Sequence, residues 1–311
     1  MMSINIYRKM NVKNPTLLAA WPGMGNVGLR AIDYLRKKLE TTLFAEIDVS
    51  EFVIPDMVVV KDGITEMPRA PKNLFYCQRD LGLIIFEAEN QLKDKHSITL
   101  VNDILDFAQR YNVKRIFTGA AFPLPISYEE PSKVYVVANK KSLSNILFSK
   151  YGLKIMESGQ ISGLNGLLPG LAKQREIEAA CLLATMPLYA MNIPYPKASK
   201  SLVEVFARIL NVRVNTEELN QSIQNMEMEM EKLEESVKGQ ISAAKEEDFP
   251  DASKEEEIPG YVRKKIERLF REAKLDKKKA YILKEELDKW NLFELYEDRF
   301  LDLFEKGEAQ A

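Results

Sequence analysis

The 311-residue chain contains a single histidine, His96. That scarcity excludes His-cluster zinc sites, two-histidine iron triads and any mechanism that passes a proton between two imidazoles. Cysteine is nearly as rare. Cys77 and Cys181 lie far apart in apolar surroundings, Leu74-Phe75-Tyr76-Cys77 and Ala179-Ala180-Cys181-Leu182-Leu183, which reads as two buried free thiols. Neither a disulfide framework nor a CxxC redox pair is present. Met1 to Met10 lacks an apolar core and a cleavage pattern of a signal peptide. The uncharged stretch Ala179 to Pro196 is interrupted by Pro187, Asn192, Pro194 and Pro196, so it fails as a membrane span. The expected compartment is the cytoplasm. A net charge of -2 argues against a nucleic-acid partner. No G-x-S-x-G elbow occurs, and no second histidine could complete a Ser-His-Asp set. No catalytic nucleophile and no metal site are therefore assigned.

What is present divides unevenly. The length suggests two folding units or one large domain with an appendage, and 46% hydrophobic with 29% charged residues describes a globular chain. Residues 216–311 hold 26 acidic and 17 basic side chains, a net of -9, which leaves +7 for residues 1–215. Of the 14 glycines, only Gly239, Gly260 and Gly307 lie beyond residue 215. The expected organisation is an α/β domain over 1–215, a helical or coiled-coil segment over 216–244, an acidic linker over 245–257 and a small helical region over 258–311.

Within the first part, Thr16 to Trp21 is an apolar run stopped by Pro22-Gly23, the pattern of a buried strand. The spacing of Val27, Ala31, Tyr34, Leu35 and Leu39 predicts a helix over about 26–40. Strands are expected at Leu43 to Ile47, Met57 to Val60, Arg115 to Thr118 (ending at Gly119) and Val134 to Val137, with a pair at Asn73 to Gln78 and Leu81 to Glu87. Helices are expected from a Ser97 cap to Tyr111, near Lys141 to Lys150, and over Ser199 to Leu210; Ile177 to Thr185 is apolar but of ambiguous type. In the extension, Leu219, Ile223, Met226, Met230 and Leu233 are spaced 4-3-4-3, so a coiled coil or a helix packed on a neighbour is expected. Three short helices should follow, over Pro259 to Ala273, Lys277 to Trp290 and Phe293 to Phe304.

The sharpest local motif is Pro22-Gly23-Met24-Gly25-Asn26-Val27-Gly28 between a strand and a helix. Its glycines fit G-x-G-x-x-G, with Glu46 or Asp48 near the position of a ribose-binding acid. The same glycines could serve only a tight turn, or a site for another small anion. A second glycine-rich stretch, Ser158 to Gly170, lacks the Lys-Ser/Thr of a P-loop; it reads as a packed turn or as part of the same crevice. Glu87, Glu89 and Asn90 end an apolar strand, where i and i+2 share a face and could hold a cation or act as acid and base, or stand as surface charges at the strand exit. His96 is expected to have a polar surface role or to be a helix-start contact rather than a catalytic group. The candidate pocket is Gly23, Gly25, Asn26, Gly28, Glu87, Asn165 and Gly166.

Taken together, the Pro22 to Gly28 turn, Glu87-Ala88-Glu89-Asn90-Gln91, Phe117-Thr118-Gly119-Ala120 and Gly163-Leu164-Asn165-Gly166-Leu167-Leu168 resemble the proteasome assembly chaperone family over about residues 10–215. The order of the motifs is more specific than any one of them. The resemblance implies a three-layer αβα sandwich with a mixed sheet, phosphorylase/hydrolase-like, usually in a homo-oligomer. It further implies a non-enzymatic chaperone or scaffold that binds proteins, proteasome-like partners among them, without a cofactor. Certain archaeal relatives dock through a C-terminal hydrophobic-Tyr-any tail; Gly307 to Ala311 carry no penultimate tyrosine, so docking of that kind is not expected here. The alternative is a nucleotide, nucleoside or anion site built from the loops at 23–28 and 163–166.

Overall fold

A computed structural model describes residues 2–53, 55, 57–244, 260–275, 279–290 and 292–305. The chain divides into two units, Met1–Ser236 and Val237–Ala311. In chain order the strands of the first are β1 (Ser3–Ile6), β2 (Thr16–Ala20), β3 (Thr42–Asp48), β4 (Val59–Lys61), β5 (Ile64–Glu66), β6 (Asn73–Gln78), β7 (Leu83–Ala88), β8 (Arg115–Leu124), β9 (Val134–Ala138), β10 (Lys154–Ile155) and β11 (Glu178–Pro187). Its helices are α1 (Val27–Lys38), α2 (Asp94–Arg110), α3 (Lys141–Tyr151), α4 (Leu164–Ala172) and α5 (Pro196–Leu210), and α6 (Glu217–Ala244) begins in it. Nine strands form one mixed sheet in the order β1-β3-β6-β7-β2-β8-β11-β9-β10, while β4 and β5 pair with each other.

Four central strands, β7, β2, β8 and β11, run parallel, and both faces of this part of the sheet are covered. That is why they read as nearly continuous apolar runs. Alternation along β2 shows the layering. Leu18 and Ala20 enter a core with Val27, Ala31 and Leu35 of α1 and Leu202 and Phe206 of α5. Leu17, Ala19 and Trp21 enter the opposite core with Ile104 and Phe107 of α2 and Leu164 and Leu168 of α4. The architecture is therefore the expected αβα sandwich around a mixed sheet.

Several local expectations are corrected. The ambiguous segment is β11, a central strand paired with both β8 and β9. β8 continues past Gly119 to Leu124 because β11 follows it residue for residue, from Leu182↔Gly119 to Pro187↔Leu124. Helix α2 starts at Asp94, so Ser97 lies inside its first turn and donates its hydroxyl to the Asp94 carbonyl. The second glycine-rich stretch is largely a helix, α4, with Pro169 in its interior. Only part of Met57 to Val60 is strand, and that strand, β4, stands apart from the main sheet.

The seam of α6 packs on its own domain. Met226 and Met230 are buried in the α1/α5 core, with Leu219 and Ile223 against it. Ion pairs from Lys38 to Glu218 (2.6 Å) and from Lys197 to Glu227 flank the contact, and Tyr34 Oη donates to the Asn215 carbonyl at 2.8 Å. The Leu233 side chain and the linker expected over 245–257 lie outside the described residues.

The second unit contains α7 (Gly260–Leu275), α8 (Ala280–Lys289) and α9 (Phe293–Glu305), close to the expected helices. Val262, Ile266, Phe270, Leu283, Leu287 and Tyr296 form its core, and Arg299 pairs with Glu267 while lying 4.3 Å over the Phe270 ring. Among the described residues, no helix is long and apolar enough to cross a membrane.

Docking of α6 is testable. Met226→Glu places a carboxylate in the core and should lower the unfolding free energy by about 2–4 kcal/mol. Residues 217–231 should then lose hydrogen-exchange protection. An unchanged denaturation midpoint would contradict the packing.

Candidate functional site

Parallel strands deliver their C-terminal ends to one edge of the sheet, and the sequence motifs meet there. Beyond Ala20 the β2 ladder runs out, leaving the Trp21 peptide groups to find partners in a buried setting. Asn165, in the first turn of α4 and buried, supplies both. Its Oδ1 accepts from Trp21 N at 3.1 Å and its Nδ2 donates to Trp21 O at 3.2 Å. The side-chain amide thus imitates a neighbouring strand.

The backbone of Asn165 is held as well. Pro169 has no N–H to offer the carbonyl four residues earlier. That carbonyl, of Asn165, accepts instead from Thr118 Oγ1 of β8 at 2.6 Å. Gln91 forms a second link, donating Nε2 to Pro22 O and accepting from Leu164 N at 3.1 Å. Together β2, β8, the exit of β7 and α4 are tied into one hydrogen-bonded clamp. Gln91, Thr118 and Pro169 were not among the candidate site residues, although all three stand inside or beside the quoted motifs.

The glycine turn has an equally local logic. Met24–Asn26 is a single 3-10 turn in which Gly25 (φ 57°) and Asn26 (φ 49°) are left-handed. Gly28 faces β8 so closely that a Cβ would overlap the Gly119 carbonyl, which is why α1 can lie directly on the sheet. Gly25 N donates to Met191 O at 2.8 Å, joining the turn to the segment after β11. Between them is a cleft of about 310 Å³ lined by Gly23, Met24, Gly25, Asn26, Met191, Asn192, Ile193 and Pro194, all uncharged. Glu46 and Asp48 belong to β3, with β6 and β7 between that strand and β2. Glu46 pairs with Lys72 at 2.8 Å, so the ribose-acid geometry of a dinucleotide site is not formed.

The candidate pocket residues divide accordingly. Gly23, Gly25 and Asn26 line the cleft; Gly28 is a packing contact. The Asn165 amide is occupied by Trp21, and Gly166 sits against Ile161 in the first turn of α4. Glu87 and Glu89 are engaged by different basic partners, and β7 ends between them at Ala88. Glu89 lies at the surface and binds Arg69 (2.9 Å) and Lys72 N (2.9 Å). Glu87 turns into the α1 layer and accepts from Arg36 Nε at 2.8 Å. Arg36 also pairs with Asp33 and lies 4.6 Å over the Tyr76 ring. His96 packs against Phe52 with ring centroids 5.3 Å apart and the rings tilted by 57°. Cys77 and Cys181 are buried free thiols, pushed by burial to about 11 and about 12, far from the reactive thiolate range. Among the described residues no metal-binding group of three His, Cys, Asp or Glu occurs.

This fold and this clamped edge define an αβα protein whose motifs organise strand ends. The model of the PAC2 family matches residues 17–234, and the chain belongs to that family. The match takes in the docked part of α6, beyond the expected limit near residue 215. An uncharacterized protein of Methanocaldococcus jannaschii is 27% identical over 235 residues, covering 75% of this chain and 88% of its own. Among solved structures, Pyrococcus furiosus PbaB, an archaeal proteasome activator, is similar with a TM-score of 0.63 at 24% identity, over 75% of this chain and 98% of its own. Pyrococcus furiosus PbaA, an archaeal homolog of proteasome-assembly chaperone, gives 0.60 at 23% identity, over 78% and 96%.

Burial outweighs Arg36 and raises the Glu87 carboxyl from the usual range to about 7. Burial also works against the Arg36 charge, but Glu87 and Asp33 together overcome it and raise that pKa. Between the ordinary carboxylate range and about pH 7, the folded state therefore holds a proton on Glu87 that the unfolded chain has released. This contribution to stability is full at low pH and is lost as pH rises through about 7. Urea midpoints at pH 5 and pH 8 should fall more for the wild type than for Glu87→Gln. Equal falls would contradict the assignment.

Proposed function

We propose that the protein works by binding other proteins, as a non-enzymatic assembly chaperone or scaffold of the proteasome-assembly-chaperone type, and that it self-associates in the cytoplasm. The observation that carries this reading is how the motif side chains are used. Asn165, Gln91 and Thr118 are engaged with backbone groups, while Met24, Tyr189 and Ile193 are exposed apolar side chains at the same edge, beside exposed Asn26 and Asn192. Apolar exposure of this kind suits a protein interface better than a reacting centre. The two structures named above, an archaeal proteasome activator and a proteasome-assembly chaperone homolog, point to proteasome subunits as the partner. The -9 charge over residues 216–311 suits a basic surface on that partner. Buried free thiols fit a reducing compartment.

The uncharged cleft at Gly23–Asn26 favours a second reading, a small ligand such as a nucleoside, nucleotide or anion. Two measurements separate the readings. The immobilised full chain should retain purified proteasome α subunits, and a chain ending at Ser236 should retain several-fold less if the acidic region engages them. Thermal shifts with nucleosides, nucleotides and phosphate should be flat. No retention together with a ligand-dependent shift would reverse the assignment.

A further inference from the structure

Five buried side-chain atoms have no hydrogen-bond partner among the described residues: Trp21 Nε1, Asn73 Nδ2 and Oδ1, Glu87 Oε1 and Asn90 Oδ1. All five belong to one corner of the sheet. Asn73 opens β6, Glu87 is the last residue but one of β7, Asn90 lies two residues past its end, and Trp21 follows β2. Buried polar groups in folded proteins are almost always paired, so this concentration asks for a partner that the chain itself does not supply.

The register sets two of these residues on either side of an alanine. Asn73 is opposite Ala88, and Ala20 is opposite Glu87, which places Trp21 beside Ala88 on its other flank. Trp21, Ala88 and Phe75 all enter the α2 core, so Asn73, two residues before Phe75, points into the same layer. Asn73, Ala88 and Trp21 thus form a row across β6, β7 and β2. Neighbouring strands are about 4.8 Å apart, so the two outer backbones stand roughly 10 Å apart with only a methyl group between their side chains. The Trp21 ring packs on Phe86, centroids 5.2 Å apart, so the indole leans over β7 toward Asn73. Glu87 points to the opposite face, where it meets Arg36, and is not part of the row.

The chemistry of the groups identifies the ligand. Trp21 Nε1 and Asn73 Nδ2 only donate, while Asn73 Oδ1 and Asn90 Oδ1 only accept. Donors repel a cation and carbonyl oxygens repel an anion, and Trp21 and Asn73 are fully buried, so the ligand is small, neutral and enclosed. Water both donates and accepts, and a buried water makes about three hydrogen bonds to groups of this kind. We propose that this corner binds an internal water that accepts from Trp21 Nε1 and donates to Asn73 Oδ1. Asn90 Oδ1, at the exit of β7, takes its second hydrogen, and Asn73 Nδ2 donates to a second water of the same cluster. Two bonds of about 2.9 Å span groups roughly 5 Å apart, farther than the direct hydrogen bond that the two side chains do not make. The water does for the Trp21 side chain what Asn165 does for its backbone, and it carries the closed edge across β7 to β6.

The test combines electron density with NMR on the full chain. In crystals diffracting to about 1.8 Å or better, a water should stand within about 3.2 Å of both Trp21 Nε1 and Asn73 Oδ1. In solution the Trp21 indole N–H, assigned by its loss in Trp21→Phe, should show a cross-relaxation peak to a long-lived water, and Asn73→Leu should abolish that peak. In urea the double variant should lose clearly less midpoint than the two single losses added together, because once one partner is gone the second replacement strands no further group. The wild-type map and peak decide the matter even where Asn73→Leu fails to fold. A direct hydrogen bond from Trp21 Nε1 to Asn73, a map without density between them, an indole N–H without a water peak, or additive midpoint losses would each overturn the inference.

Discussion

A peptide group cut off from water must be hydrogen-bonded, and at the end of a buried parallel strand the neighbouring ladder no longer supplies the partner. Asn165 meets that requirement for Trp21 with one planar amide, acting as acceptor and donor to the same residue. Its own carbonyl, released by Pro169, is taken by Thr118. Gln91 repeats the device between Pro22 and Leu164. The placement of α4 against β2 and β8 rests on these strand ends being closed in this way. Hydrogen bonds of this type contribute modestly when made but cost about 1–3 kcal/mol per buried group when broken.

This constraint bears on function because it commits the polar side chains at the edge. An asparagine or glutamine that closes a backbone is not free to bind a substrate, and Glu87 is drawn into the helix layer by Arg36. What the edge offers to solvent includes the apolar side chains of Met24, Tyr189 and Ile193 beside the uncharged Asn26 and Asn192. The same parallel topology that gathers active-site loops in many α/β enzymes here gathers side chains that close the backbone at the strand ends.

Much of the fold was legible before the structure. Thr16 to Trp21, the β6–β7 hairpin and α1 follow from strong local patterns, since strands buried on both faces have to be apolar. The strand and helix limits that differ were decided by distant contacts. Gly119 looks like a terminator, yet β11 carries β8 past it. Helix α4 is masked by its glycines and Pro169, although Leu164, Leu168 and Ala172 already keep helical spacing. The motifs were located correctly, but their roles were not readable. Nothing in the residue type of Asn165 tells whether its amide faces a ligand or the backbone of Trp21, 144 positions away. Likewise nothing in the residue types of Glu87 and Glu89 tells that each is engaged by a different arginine, Arg36 and Arg69.

The central claim, that Asn165 closes the sheet edge, is tested most directly by urea denaturation of Asn165→Leu, a replacement of similar size that cannot form either hydrogen bond. Leaving two buried peptide groups of Trp21 unpaired should cost about 2–5 kcal/mol and release the Trp21 amide to faster exchange. A stability within about 0.5 kcal/mol of the wild type, with that amide still protected, would contradict the claim.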